Sequence, residues 1–194
     1  MTEKEKMLRG MLYDADDSTL CADRVRAKEL CHAYNQLRPS DAAGMRELLQ
    51  RLLGETGETF CVTAPFWCDY GYNIRLGEHF YANHNLVILD CAAVTFGEHV
   101  FVAPNCGFYT AGHPIDAECR ERGLEYAYPI TVGDHVGIGG GVQVMPGVTI
   151  GSNVVIGGGS VVVKDIPSNS VAVGNPCRVI RPITEADKQT CWDR

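Results

Sequence analysis

The chain has no C-x-x-C pair, no long apolar run and no surplus of positive charge, and each absence removes a class of function. Its nine cysteines (Cys21, Cys31, Cys61, Cys68, Cys91, Cys106, Cys119, Cys177 and Cys191) are scattered, without metal-ligand spacing. Their odd number argues against a disulfide framework and for reduced thiols, several of them serving as small buried apolar groups. No stretch approaches the ~20 apolar residues that crossing a bilayer requires. The opening Met-Thr-Glu-Lys-Glu-Lys lacks the apolar segment of a signal peptide, so a cytoplasmic location and no membrane partner are expected. Lys and Arg number 17 against 24 Asp and Glu, for a net charge of −7. Such a surface does not attract phosphate backbones in general, so no nucleic-acid partner is expected.

What is present is a repeat. From Val132 to Ile166 the chain returns to an aliphatic residue every six positions, at Val132, Ile138, Val144, Ile150, Ile156 and Val162. The fifth position of each unit is filled by Val136, Val142, Val148, Val154, Ser160 and Ile166, and glycine follows the first position at Gly133, Gly139, Gly151 and Gly157. Six is not a helical spacing, and simple strand alternation would break at each glycine. A six-residue unit is a short strand and a tight turn, three of which close a triangular coil. The fold predicted is therefore a mainly β, parallel β-helix of hexapeptide repeats, with aliphatic side chains stacked in its interior and glycine at corners that call for positive φ.

Upstream, Leu20, Arg24, Ala27, Leu30, Cys31, Tyr34 and Leu37 keep helical spacing up to Arg38-Pro39. A second helix is expected from an N-cap at Ser40 through Met45, Leu48, Leu49, Leu52 and Leu53, with Gly54 as its C-terminal cap. Residues 1–57 are thus expected to form a helical cap over the open first coil, since solenoid ends need covering. The β-helix, 58–183, begins near Phe60. Its first positions Leu76, Ala82 and Ile88 give way, after a two-residue slip near Asp90 to Val94, to Phe96, Val102 and Phe108. Between 110 and 129 the hexapeptide disappears. An insert of that length in a strict repeat is expected to be functional. A short polar tail, 184–194, ends the chain.

The stretches C-D-Y-G-Y-N-I, F-Y-A-N-H-N-L, T-A-G-H-P, P-G-V-T-I-G, V-V-V-K-D-I-P and G-N-P-C-R-V-I-R, in this order and over nearly the whole length, resemble the sugar O-acetyltransferases of the maltose/galactoside type, among the hexapeptide-repeat acyltransferases. The resemblance implies a left-handed β-helix, a homotrimer with active sites between subunits, and acetyl-CoA as acetyl donor with no metal. It implies direct transfer to a sugar hydroxyl, with His113 as the base. A hydroxyl is a poor nucleophile at neutral pH, and a positioned imidazole can take its proton during attack. Asn83 is the implied donor to the developing oxyanion and a substrate contact. Asp69 corresponds to an acceptor-sugar contact, Asp90 is a further candidate, and Glu125 is a candidate to orient His113. Gly140, Gly158 and Val163 would line the coenzyme, and Lys164, Arg178 and Arg181 would meet its phosphates.

Two departures stand out. Gly137 occupies a position where many relatives carry Trp. Ala15, with Asp14, Asp16 and Asp17 nearby, stands where the galactoside enzymes carry an aspartate, which together with Asp69 favours a maltose or glucose acceptor. Two alternatives remain open on the residues alone. One is a γ-type carbonic anhydrase-like zinc enzyme using histidines from His79, His84, His99, His113 and His135. The other is an acetyltransferase with a non-sugar acceptor. A silent scaffold is disfavoured because His113 and Asn83 are both present.

Overall fold

The computed structural model describes residues 1–189, so Cys191 and the end of the tail lie outside it. Three helices, α1 (Glu3–Leu8), α2 (Ser18–Gln36) and α3 (Ala42–Leu52), precede the β-helix. Six coils follow, built from three parallel sheets that share the chain coil by coil. One face runs through Phe60–Val62, Phe80–Ala82, Phe101–Val102, Val136–Ile138, Val154–Ile156 and Ser170–Val173. The antiparallel strand Arg178–Pro182 is added at its end.

The inward positions are those of the hexapeptide phase. Val132, Ile138, Val144, Ile150, Ile156 and Val162 are each at most 3% exposed, and the fifth positions Val136, Val142, Val148 and Val154 are equally covered. Burying each such side chain stabilises the fold by roughly 1.5–3 kcal/mol. Ser160 interrupts the column without cost, because its hydroxyl donates to the Gly157 carbonyl at 2.5 Å and accepts from the Gly174 amide at 2.9 Å.

The corners differ from expectation in an instructive way. Gly133, Gly139, Gly151 and Gly157 do not have positive φ. They are glycine because the next coil leaves no room: a Cβ on Gly139 would lie 2.5 Å from the Gly158 amide nitrogen, and one on Gly151 2.6 Å from that of Ser168. The left-handed residues are instead His79, His99, His135, Asn153 and Asn169 on one corner, and Asn85, Asn105, Gly141 and Gly159 on another. Asparagine tolerates that region because its short polar side chain can bond locally. Here Asn85 donates to Asn105, and Asn153 to Asn169, each at 2.9 Å.

Coil length also changes along the axis. Ile74 lies opposite Val94, twenty residues on; Thr131 lies opposite Thr149, eighteen on. The two extra residues of the early coils form the widened corner that contains Asp90.

The cap is joined to the first coil by hydrogen bonds as well as by packing. Ala27, Cys31, Tyr34, Leu49 and Leu52 share a core with Val62, Phe66 and Ile74. The Asn35 amide bonds both the carbonyl and the N–H of Phe66, and the Tyr34 hydroxyl donates to the Val62 carbonyl. Two helix-end expectations shift. Asp41, not Ser40, caps α3, its carboxylate accepting from the Gly44 amide. Gly54 is not a left-handed cap; it is glycine because the Tyr72 carbonyl would lie 2.2 Å from a Cβ there. The coil begins at that contact, with Glu55–Thr56 already paired to Ile74–Leu76.

Ile156→Ala should therefore lower the unfolding free energy by about 2–5 kcal/mol. Thr131→Ala, on the outer side of its strand, should change it by no more than about 0.5 kcal/mol. Urea midpoints of the two variants test the assignment of inner and outer positions, and equal losses would contradict it.

Candidate functional site

The insert is ordered. After the strand Gly107–Tyr109 the chain turns out of the coil, and Ala111–Gly112 pairs antiparallel with Leu124–Ala127. That returning strand pairs on its other side with Tyr13–Asp14 from the N-terminal segment, Tyr13 opposite Glu125. A short helix, α4 (Ala117–Glu121), capped by Asp116, forms the tip. Arg120 ties the tip to the carbonyls of Pro114 and Ile115.

His113 stands just past the first of these strands. Its Nδ1 lies 3.2 Å from the Leu124 carbonyl. A carbonyl only accepts, so Nδ1 carries the proton and Nε2 presents a lone pair. Nε2 lies 3.7 Å from Glu125 Oε1, too far for a hydrogen bond but within ion-pair range if the ring becomes charged. The other oxygen of Glu125 accepts from the Tyr13 hydroxyl at 2.6 Å. Burial, Cys91 and the Glu125 carboxylate all push the Tyr13 phenol upward, so it remains a donor.

The same corner holds Asp69. Burial raises its pKa above the usual carboxylate range, Glu125's charge adds to the rise, and the Cys91 thiol, 3.5 Å from Oδ2, counteracts it. Half-buried carboxylates at Asp69 and Glu125 make an acceptor-rich surface suited to a polyhydroxyl ligand. Asp90 does not line this surface. It is fully buried, and its carboxylate accepts from the amides of Asp69, Tyr70 and Asn73 at 3.1, 2.8 and 3.3 Å. It shapes the segment that presents Asp69. Burial lifts its pKa to about 7 against those bonds, which pull the other way.

Asn83 lies elsewhere. It opens a shallow groove of about 500 Å³ lined by Tyr81, Phe101, Gly137, Val155 and Gly158. Its Oδ1 accepts from the His84 amide at 2.7 Å, which turns the Nδ2 donors the other way. Gly158 and Gly140 abut one another: a Cβ on Gly158 would come 3.1 Å from the Gly140 carbonyl. Arg178 is exposed at the end of the face that carries Asn83, whereas Val163, 42% exposed, and the exposed Lys164 follow Val161–Val162 and lie at the corner of Asp90 and the insert, away from this groove. Among the described residues neither cation pairs with a carboxylate. Arg181 does: its guanidinium makes two bonds to Asp187, at 2.8 and 2.9 Å, so its fork is already engaged.

The chain thus brings His113, Glu125 and Asp69 to one corner, and Asn83 and the glycines to another. The face between them carries Leu86–Leu89 and Gly107–Tyr109. At ~3.3 Å per residue that face alone separates the corners by more than about 10 Å. Tyr13 and Cys91 were not among the expected site residues. Tyr13 reaches Glu125 through a strand pairing across 112 positions, which leaves no local trace.

The histidines do not converge. His79, His99 and His135 stack on one corner at 4.5 and 5.1 Å between ring centres, while His84 bonds the Ala64 carbonyl and His113 lies in the insert. Among the described residues no three His, Cys, Asp or Glu side chains are grouped to hold a metal ion, and nothing favours the carbonic anhydrase alternative. Asp17 caps α2 through the amides of Thr19 and Leu20.

Residues 6–57 match the maltose acetyltransferase hexapeptide capping motif, and 129–164 the bacterial transferase hexapeptide, six repeats. A Saccharomyces cerevisiae protein named as an acetyltransferase is 56% identical, over 96% of this chain and 95% of its own. A maltose O-acetyltransferase from Clostridium difficile 630 superposes with a TM-score of 0.94 at 50% identity, over 95% of this chain and 99% of that one. A galactoside acetyltransferase in complex with coenzyme A superposes equally well, with a TM-score of 0.94 at 44% identity, over 97% and 94%. The coils wind in the left-handed sense of these β-helices.

Asp90 makes stability depend on pH. Its folded pKa lies above the unfolded value, so between about pH 4 and pH 7 the folded state binds more protons than the unfolded state. Its contribution to stability is therefore full at low pH, falls as pH rises through that window and is level above it. Denaturant titrations from pH 4.5 to 8 should show this slope in the wild type and its loss in Asp90→Asn. An identical slope in both would refute the assignment.

Proposed function

The chain belongs to the hexapeptide-repeat acetyltransferases of the maltose and galactoside type, and from that premise we propose that it transfers an acetyl group from acetyl-CoA to a hydroxyl of a sugar. The observation that carries this reading is the fixed tautomer of His113. With Nδ1 held by the Leu124 carbonyl, Nε2 is the basic nitrogen, beside the Asp69 corner. It takes the acceptor's proton as the hydroxyl attacks. Glu125, held by Tyr13, faces the ring as it becomes charged. Asp69 accepts from other hydroxyls of the sugar and orients it.

Coenzyme A, when bound, supplies a thioester carbonyl open to attack. The groove fits such a molecule: its corner is walled by Gly139, Gly157 and Gly158, with Gly140 against Gly158, and Arg178, whose cation suits phosphates, is exposed at the end of the same face. Asn83 Nδ2 donates to the carbonyl oxygen as it gains charge.

A base and an oxyanion donor must both lie about 3 Å from one reacting centre. Within one chain they occupy different corners. We therefore assign the complete site to the junction of two copies in a threefold ring, His113 from one and Asn83 from its neighbour. A head-to-tail contact of this kind closes into a ring when its rotation is 120°.

His113→Ala should lower thiol release from acetyl-CoA, with glucose, maltose and galactosides as acceptors, by about 10²–10⁴-fold. Asn83→Ala should cost about 10²–10³-fold. Unfolding and reassembling the two variants together at equal amounts should restore about a quarter of wild-type activity, because that share of junctions pairs an intact His113 with an intact Asn83. No recovery from a mixture shown to contain mixed trimers would place both residues in the same subunit. A His113→Ala variant as active as the wild type would remove the general base from this site.

A further inference from the structure

Glycine at position 137 has no internal reason. At Gly133, Gly139 and Gly151 a Cβ would fall within 2.6 Å of the adjacent coil, so packing dictates the residue. Gly137 is the middle of the strand Val136–Ile138, with no left-handed φ, and the nearest atom to a Cβ there is Val155 Cγ2, 4.0 Å away. A glycine in mid-strand costs about 0.5–1 kcal/mol relative to alanine. Where neither conformation nor neighbours explain it, the remaining cause is something that approaches from outside.

The outward ladder on this face runs Cys61, Tyr81, Phe101, Gly137, Val155 and Val171 in register. Every other rung carries a side chain, and Phe101 and Val155 leave 54% and 46% of their surface exposed. Gly137 is a notch in that ladder, one coil from Phe101, floored by backbone and walled by two apolar groups. It opens into the groove that Asn83 lines, and no charged side chain lines that groove.

We propose that this notch is an acyl-chain pocket, and that the protein uses straight-chain acyl-CoA donors longer than acetyl, from butyryl upward. The inference rests on the reading of the groove as the donor site. The reaction is unchanged in kind. The thioester C–S bond breaks, the ester C–O bond forms, and the hydroxyl proton passes through His113 to the departing thiolate. Only the substituent on the carbonyl differs, and the notch gives its methylenes apolar surface in place of water.

Calorimetric titration of acetyl-, butyryl- and hexanoyl-CoA into the wild type, Gly137→Ala and Gly137→Val, without acceptor, tests this. The wild type should bind hexanoyl-CoA at least as tightly as acetyl-CoA. Filling the notch should shift the hexanoyl-to-acetyl affinity ratio against the longer donor by about 10-fold, the low end of the discrimination that a methylene carries in a hydrophobic pocket. Initial rates with the best sugar should move in the same ratio. A wild type that binds acetyl-CoA but rejects hexanoyl-CoA as strongly as Gly137→Val does would overturn the pocket and leave the donor groove standing. Absence of binding by all three thioesters would remove both. Loss of the trimer in Gly137→Ala, read by sedimentation, would assign the notch to a neighbouring subunit's side chain instead.

Discussion

The structure depends on the coil-by-coil stacking of inward aliphatic side chains. Val132, Ile138 and Val144 sit directly over Ile150, Ile156 and Val162 because each strand is paired in register with the one eighteen residues later. A slip of one residue would turn every one of these side chains outward. That penalty locks the register, and the register then fixes the height and direction of each corner. Nothing at the corners needs to be flexible: they are set by stacked asparagine and histidine in left-handed conformation and by glycines against which the next coil lies. A rigid frame of this kind can hold a base or a donor in place at the end of a strand without further bracing.

The candidate site sits where the frame is allowed to vary. The early coils carry two more residues than the later ones, and the surplus falls on the corner around Asp90. A carboxylate buried there would be costly alone, yet three backbone amides converge on it. Its cost is accepted because it closes a loop that has no ladder partners of its own and so presents Asp69. One coil later the same corner releases the insert, and the N-terminal strand Tyr13–Asp14 pairs with the insert's return. The cap therefore does two things. It covers the open end of the core through Leu49, Leu52 and Tyr34, and it supplies, through Tyr13, the bond that holds Glu125 beside His113.

Much of this was legible in the chain. A repeat in strict phase dictates its own fold, and the phase breaks between 110 and 129, where Ala111–Gly112 pairs antiparallel with Leu124–Ala127 outside the coil. Local signals at element ends were less secure. Ser40 and Asp41 are both competent caps, and the choice between them turned on which side chain reached the Gly44 amide. Gly54 reads as a helix stop in sequence but answers to a carbonyl from Tyr72, eighteen residues away. Asp90 and Arg181 carry the right chemistry for a ligand, and only the fold reveals that backbone amides and Asp187 have already engaged them. Tyr13 was invisible because its partner is remote in sequence and its pairing is antiparallel, outside the repeat. Sequence pattern reports periodic burial well; it reports whether a polar group is already satisfied hardly at all.

The charge distribution carries the argument one step further. Asp69, Asp90 and Glu125 cluster at the widened corner, with Arg24 and Lys28 as the nearby opposing charges. Lys164 and Arg178 lie toward the other end of the prism, in a chain of net charge −7. Carboxylates thus gather at one end of the prism and cations toward the other, and on the proposed function the hydroxyls of a sugar would meet the first and the phosphates of coenzyme A the second. Since a corner of the prism faces outward, a single chain offers each ligand only one wall. In the threefold ring proposed above, two prisms side by side would offer both walls and exclude water between them, which strengthens every hydrogen bond to the reacting atoms. The rigidity of the coil would make that arrangement reproducible, since the proposed pairing of one copy's Asn83 with a neighbour's His113 needs only a single docking height.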